Sequence, residues 1–186
     1  MKTITIFNDI HKYGPHPVNV QLEADADCYY LGDNIDLSHC LKSSVPWALL
    51  DLNYYKQAFA GRFVRGNHEL NAVKAPDWLV VGKTLLTHGD FIFWPKKYAT
   101  HYRKRQKGVN FFQRWFSFSG LDFLRHILPE AKLHRRTKRK LALLAKRHRC
   151  TMVVCAHRHP KKTVCVEYRG IKIVVLPPGR NEVTIE

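Results

Sequence analysis

Five times along this chain an apolar, largely β-branched run ends in a short polar block. Thr3–Phe7 runs into Asp9-Ile10-His11, and Asp27–Leu31 into Gly32-Asp33-Asn34-Ile35-Asp36. Phe63–Arg65 runs into Gly66-Asn67-His68-Glu69, Thr84–Thr87 into His88-Gly89-Asp90, and Thr151–Cys155 into His157-Arg158-His159. Runs of this kind read as strands. Polar blocks at strand ends converge on one edge of a sheet, on loops held by a rigid scaffold. A single Asp among them is explained as a turn residue, and a single His as a satisfied core residue. Five blocks in this order are not, because together they gather carboxylate, imidazole and amide oxygen, the donors that hold hard or borderline divalent metals.

The remaining pattern is mixed α/β. Residues 46–60 read as a helix started by Pro46, with Trp47, Leu50, Tyr54 and Phe59 as its apolar positions. Trp78–Val81 and Thr84–Thr87 flank Gly82-Lys83 as a hairpin, and Thr163–Tyr168 and Ile171–Leu176 flank Arg169-Gly170 as another. Leu133, Thr137, Leu141, Leu144 and Ala145 fall at helical spacing with Lys and Arg between them. A chain of 186 residues fits a single domain, 1–186, with a real core.

Charge divides the chain sharply. Residues 91–149 hold 17 Lys/Arg against only Asp122 and Glu130, and so carry +15 of the net +16. That stretch also holds the aromatic run Phe111, Phe112, Trp115, Phe116, Phe118 and Phe123. It reads as a basic, aromatic-rich helical insertion between the last two blocks. Such asymmetry points to an anionic partner: nucleic acid, an anionic membrane surface or a polyphosphorylated substrate. The bland alternative is a solvated basic face. Met1–Phe7 is too short for a secretory signal, and no run of about 18 apolar residues suggests a spanning helix. The five cysteines form no C-x-x-C pair and read as buried free thiols in a reducing compartment. The expected location is cytoplasmic, with peripheral attachment to a membrane as a further expectation.

The five blocks resemble the calcineurin-like metallophosphoesterases, whose pattern is D-x-H, G-D-x-x-D, G-N-H-[DE], a lone histidine often followed by Gly-Asp, and G-H-x-H. Leu176-Pro177-Pro178-Gly179-Arg180 is also similar to that family's N-P-G-[ST] turn. The resemblance implies a four-layer αββα sandwich, here with the helical insertion. It implies two divalent ions, Mn²⁺ first, with Fe²⁺, Zn²⁺ or Ni²⁺ as alternatives. One ion would be held by Asp9, His11, Asp33 and His159, the other by Asp33, Asn67, His88 and His157. His68 would be catalytic, with Asp36 as the carboxylate that pairs with it. The activity implied is hydrolysis of phosphate mono- or diesters by metal-activated water.

Other residues are read as accessory. Glu69 and Asp90 are expected to be structural. His16, His39, His101, His126, His134 and His148 are expected in loops or on the surface. The sequence departs from the family pattern in two places. Ala156 replaces the usual glycine of the last block, which constrains that turn. Leu37-Ser38 replaces the Arg-Gly that follows this motif in the phosphoprotein branch, which counts against a phosphoprotein substrate. The short segment from Asp9 to Asp33 leaves little room for a helix. The position and content of the insertion loosely resemble bacterial UDP-diacylglucosamine diphosphatases, which suggests a diphosphate-containing lipid or nucleotide-sugar substrate. The alternatives are a nuclease or nucleotide phosphodiesterase that holds nucleic acid through the insertion, and a non-catalytic metal-binding interaction module. The oligomeric state is not indicated.

Overall fold

The protein is described from a computed structural model, over residues 1–69, 74–93 and 133–186. The aromatic run of the expected insertion, with His101 and His126, lies outside the described residues.

Among the described residues, besides two short 3-10 turns, the strands and α-helices follow one another as β1 (Lys2–Asn8), β2 (Cys28–Leu31), α1 (Val45–Ala58), β3 (Phe63–Val64), β4 (Trp78–Val81), β5 (Thr84–Thr87), α2 (Asp90–Phe93), α3 (Arg135–Arg147), β6 (Met152–Cys155), β7 (Val164–Tyr168), β8 (Ile171–Val175) and β9 (Gly179–Ile185). They build two mixed sheets, ordered β3-β2-β1-β9 and β4-β5-β6-β8-β7. In the first sheet β1, β2 and β3 run parallel and β9 is antiparallel to β1. In the second, β5, β6 and β8 run parallel and hairpin partners β4 and β7 close the edges.

Side-chain alternation sets the layers. Ile4, Ile6, Tyr29, Leu31 and Val183 of the first sheet meet Leu86, Met152, Val154 and Val174 of the second in one buried core. The opposite face of the first sheet, through Phe7, Cys28, Tyr30 and Phe63, packs on Ala48, Leu52 and Phe59 at α1 and its end. The opposite face of the second sheet, through Leu85, Val153, Ile173 and Val175, packs on Leu141, Ala142 and Ala145 of α3. This is the αββα sandwich. Each fully buried side chain such as Leu52 or Leu141 contributes about 1.5–3 kcal/mol relative to exposure.

The two long helices, α1 and α3, form for different local reasons. Pro46 sits in the first turn of α1, where its missing N–H costs nothing. At α3, His134 caps the helix through Nδ1, which accepts the Arg136 N–H at 3.2 Å. Lys140 Nζ donates to Ile92 O of α2 at 3.1 Å, so α3 is tied to the turn that follows His88.

Three features extend or correct the sequence reading. The tail forms β9, paired with β1 along its whole length, although no last strand was expected. Its alternation, with Val183 and Ile185 inward, was the available signal. No helix joins β1 to β2; their connection carries an isolated Lys12–Ile35 bridge and packs Val20 and Leu22 against the outer face of the first sheet. Cys165 is exposed, unlike the other four cysteines, because it occupies an outward position of edge strand β7. Among the described residues no helix is long and apolar enough to cross a membrane.

Candidate metal centre

The parallel strands β1, β2, β3, β5 and β6 each release their polar block at the C-terminal end, and the two sheets bring those ends together. Asp9, His11 and His159 form one group of potential metal ligands, and Asp33, His88 and His157 form another. Asn67 joins the second group, with Oδ1 3.3 Å from His88 Nε2.

The donor spacing fits bound cations. Ligands on adjacent corners of an ion with bonds of about 2.1 Å lie about 3.0–3.4 Å apart. His88 Nε2 is 3.0 Å from Asp33 Oδ2 and 3.1 Å from His157 Nδ1. In the other group, His159 Nε2 is 2.9 Å from Asp9 Oδ1 and 3.5 Å from His11 Nε2. Two neutral imidazole nitrogens facing each other this closely repel unless a cation or a proton lies between them.

The backbone is bent to make this possible. Asp9, His11, Asp33, His157 and His159 all adopt positive φ, between 46° and 68°. That region is costly for residues with a side chain, and its concentration at candidate ligands marks a functional site. Ala156 is buried and has no positive φ; the left-handed turn falls on His157 and His159 instead. The alanine therefore stands in an ordinary strand-end conformation, without backbone strain.

Supporting contacts fix each ligand. His88 Nδ1 lies 3.1 Å from Leu31 O, which aims Nε2 at Asp33. Asp9 Oδ2 accepts the Asn8 amide at 2.9 Å and the His157 N–H at 3.0 Å. Asp33 Oδ1 accepts the His68 N–H at 2.8 Å. Gly32, at φ +78°, lets this loop cross the next one: a Cβ there would meet Gly66 N at 2.7 Å and His88 Cγ at 2.8 Å.

A chain carrying these blocks in this order, on this sandwich, matches one family: the calcineurin-like phosphoesterase model covers residues 2–161. The chain belongs to the calcineurin-like phosphoesterase family. It is a metal-dependent hydrolase of phosphoester bonds. No curated protein matches it significantly. The calcineurin-like match takes in all five blocks and stops before β7, but β9 completes the same sandwich by pairing with β1.

The electrostatics of this calcineurin-like site favour positive charge. Burial opposes ionisation of Asp9 and Asp33, yet the surrounding histidines hold both well below the usual carboxylate range. Burial likewise opposes a charge on His88, but Asp33 and Asp9 push its pKa up to about 10. The field that holds a proton there would also favour a divalent cation. His157 behaves oppositely: burial and neighbouring His88 keep it neutral, the form a metal requires.

His68 and Asp36 lie beside the two groups. His68 Nδ1 donates to Asp36 Oδ1 at 2.7 Å, and its Nε2 is 3.8 Å from Asp33 Oδ2. Burial lowers the His68 pKa, but Asp36 and Asp33 win and raise it to about 9. His11 presents Nδ1 to Asp36 Oδ2 at 3.4 Å, so one carboxylate serves both rings. Glu69 is fully buried and faces inward: it accepts hydrogen bonds from Tyr30 Oη, from Ile35 N at 3.1 Å and from Gly66 N at 3.0 Å. Burial and Asp33 push its carboxyl up to about 7. Asp90 opens α2.

Sequence reasoning undervalued one residue. His39, expected in a loop or on the surface, is half-buried with Nδ1 3.1 Å from Asp36 Oδ2. The spacing D-x-x-H after the second block was its only signal. The other described accessory histidines, His16, His134 and His148, differ from it. His16 is exposed, His134 caps α3, and His148 ends α3 against Trp78 with ring centroids 5.3 Å apart.

Proposed function

We propose that this enzyme works with two divalent cations, one held by Asp9, His11, Asp33 and His159 and the other by Asp33, Asn67, His88 and His157. Asp33 would be shared by the two. The observation that carries this reading is the pair of donor groups at coordination spacing, separated by little: Asp9 Oδ1 is 4.0 Å from His88 Nδ1 of the other group. When bound, such a pair activates water and neutralises charge on the phosphoryl group. Mixed nitrogen and oxygen donors suit Mn²⁺, Fe²⁺, Zn²⁺ or Ni²⁺, with Mn²⁺ the first choice.

The chain's own groups divide the remaining work. Asp33 is locked by the His68 N–H, so its carboxylate needs no rearrangement during reaction. His68 is the leaving-group acid. Asp36 holds its Nδ1, fixes the tautomer and keeps a proton available on Nε2. The low exposure of His68, 7%, limits water around that proton.

The substrate is proposed to carry extended negative charge. Seven of the thirteen residues of α3 are Lys or Arg, and none is acidic. Among the described residues, none of these seven forms an ion pair, so their charge is available to a ligand. A diphosphate-containing lipid or nucleotide-sugar is one such substrate. The cationic helix equally favours a second reading, a nuclease or nucleotide phosphodiesterase that tracks a phosphate backbone. A non-catalytic module fits poorly with the nine retained site residues. The test is a panel of nucleotides, nucleic acids, aryl diesters and UDP-linked lipids under one Mn²⁺ condition. Asp33→Asn should abolish turnover of every substrate cleaved; retained turnover would end the two-metal reading. A nucleic acid substrate should bind with an affinity that falls steeply with salt, whereas salt-resistant liposome binding supports the lipid.

A further inference from the structure

We infer that His39 is a positioning residue for leaving-group protonation, acting through Asp36 on His68. The inference rests on the reading of His68 as the acid.

Asp36 is a hub with only two oxygens to share. Its Oδ1 accepts the Ser38 N–H at 3.0 Å, the His39 N–H at 2.9 Å and His68 Nδ1 at 2.7 Å. Its Oδ2 lies 3.1 Å from His39 Nδ1 and 3.4 Å from His11 Nδ1. The carboxylate is buried, with 2% exposure, so solvent does not orient it. The terminal torsion of an aspartate is broad, and hydrogen bonds to one oxygen alone leave the carboxylate plane loosely set. His39 Nδ1 supplies the shorter of the two contacts on Oδ2. It therefore sets the plane, and with it the direction in which Oδ1 meets His68. The rings of His39 and His68 lie 5.0 Å apart, and those of His11 and His68 4.9 Å apart. Three imidazoles thus surround one carboxylate, and only His39 comes from the carboxylate's own turn.

The step served is simple to write. A water oxygen forms the new bond to phosphorus and gives up one proton to solvent. The bond from phosphorus to the leaving oxygen breaks with its electron pair on that oxygen, which takes the proton from His68 Nε2. His68 Nδ1 stays bound to Asp36 throughout. A loosened Asp36 misaims that proton and leaves the attack itself unaffected.

This separates His39 from a residue that merely shapes the loop. The full-length Mn²⁺-loaded protein is assayed on a p-nitrophenyl diester, whose leaving group departs readily unprotonated, and on a phenyl diester, whose leaving group depends on protonation. General acid catalysis contributes about 100–10,000-fold, so partial misalignment should cost about 10–100-fold on the phenyl ester. His39→Ala should show that loss in kcat, with less than about threefold on the p-nitrophenyl ester and unchanged metal content. His39→Asn, whose amide N–H reaches the place of Nδ1, should restore the phenyl rate. His39→Gln, whose amide reaches the place of Nε2, should not. In the metal-free protein, the downfield His68 Nδ1–H resonance should move in His39→Ala and return in His39→Asn. Equal losses on both esters, loss of metal, or rescue by Gln rather than Asn would overturn the inference. His68→Ala run in parallel separates the two readings. If it shows the phenyl-selective loss and His39→Ala does not, only the His39 role fails. If His68→Ala is itself unselective, the acid assignment fails first.

Discussion

Replacing Gly66 by alanine would test how tightly the candidate centre is built. Gly66 has no unusual φ, so alanine brings no backbone strain and only a methyl group. That methyl carbon would lie 2.0 Å from Asp33 Oδ1, 2.5 Å from Asp33 N and 2.6 Å from Asp33 Cγ. Ordinary contact begins near 3.4 Å, so the carboxylate must retreat by about 1.4 Å, the difference between 3.4 and 2.0. Overpacking of this kind costs about 1–3 kcal/mol. Displacing Oδ1 also breaks the charged hydrogen bond to the His68 N–H, worth about 1.5–3 kcal/mol. Misplacement by about 1 Å costs on the order of 100-fold in rate, so Gly66→Ala should lose at least that on an aryl diester at saturating Mn²⁺. Thermal melting and metal analysis accompany the rate. Gly61→Ala is the control: its φ is +74° and nothing lies within 4 Å of the added carbon. It should cost about 1 kcal/mol of stability and leave the rate unchanged. A Gly66→Ala enzyme within about threefold of the parent rate would refute the claim that Asp33 is fixed by the crossing of these two loops.

Two further outcomes follow from the buried polar groups. Tyr30→Phe removes a donor to Glu69 and leaves that buried carboxyl with backbone partners only; it should destabilise the fold by about 1.5–3 kcal/mol in chemical denaturation, and a change under 0.5 kcal/mol would contradict the assigned contact. In metal-free protein, the raised pKa values of His68 and His88 contribute stability that is full below about pH 6.5 and is lost as pH rises through about 9 and 10. The melting temperature of the metal-free chain should fall over that range, while saturating metal offsets the loss because deprotonated ligands bind more tightly; a metal-free melting temperature that rises toward pH 10 would contradict it.

The strands that carry ligands were legible because each pairs an apolar alternation with a polar block, and local pattern sufficed for both. The Trp78–Thr87 hairpin is an example, since Gly82-Lys83 marks its turn. β9 was not legible, since Gly179–Ile185 has only two inward apolar residues and gains its place from pairing with β1, more than 170 positions away. The same distinction separates site residues. Asp33, Asn67 and His88 sit in local motifs that the structure brings together. His39 has no motif of its own, and its value comes from the turn that folds it back onto Asp36. The positive φ angles at Asp9, His11, Asp33, His157 and His159 were equally invisible, because Asp and His visit that region more often than most residues but rarely enough that only the convergence of loops decides it.

Metal stoichiometry tests the central claim most directly. The chain is dialysed to equilibrium against graded Mn²⁺ and its metal content measured, beside Asp33→Asn and His159→Ala. The account predicts two ions per parent chain, weakened binding of both in Asp33→Asn, and loss of one in His159→Ala. Saturation of the parent at a single ion, or two ions held with undiminished affinity by Asp33→Asn, would contradict it.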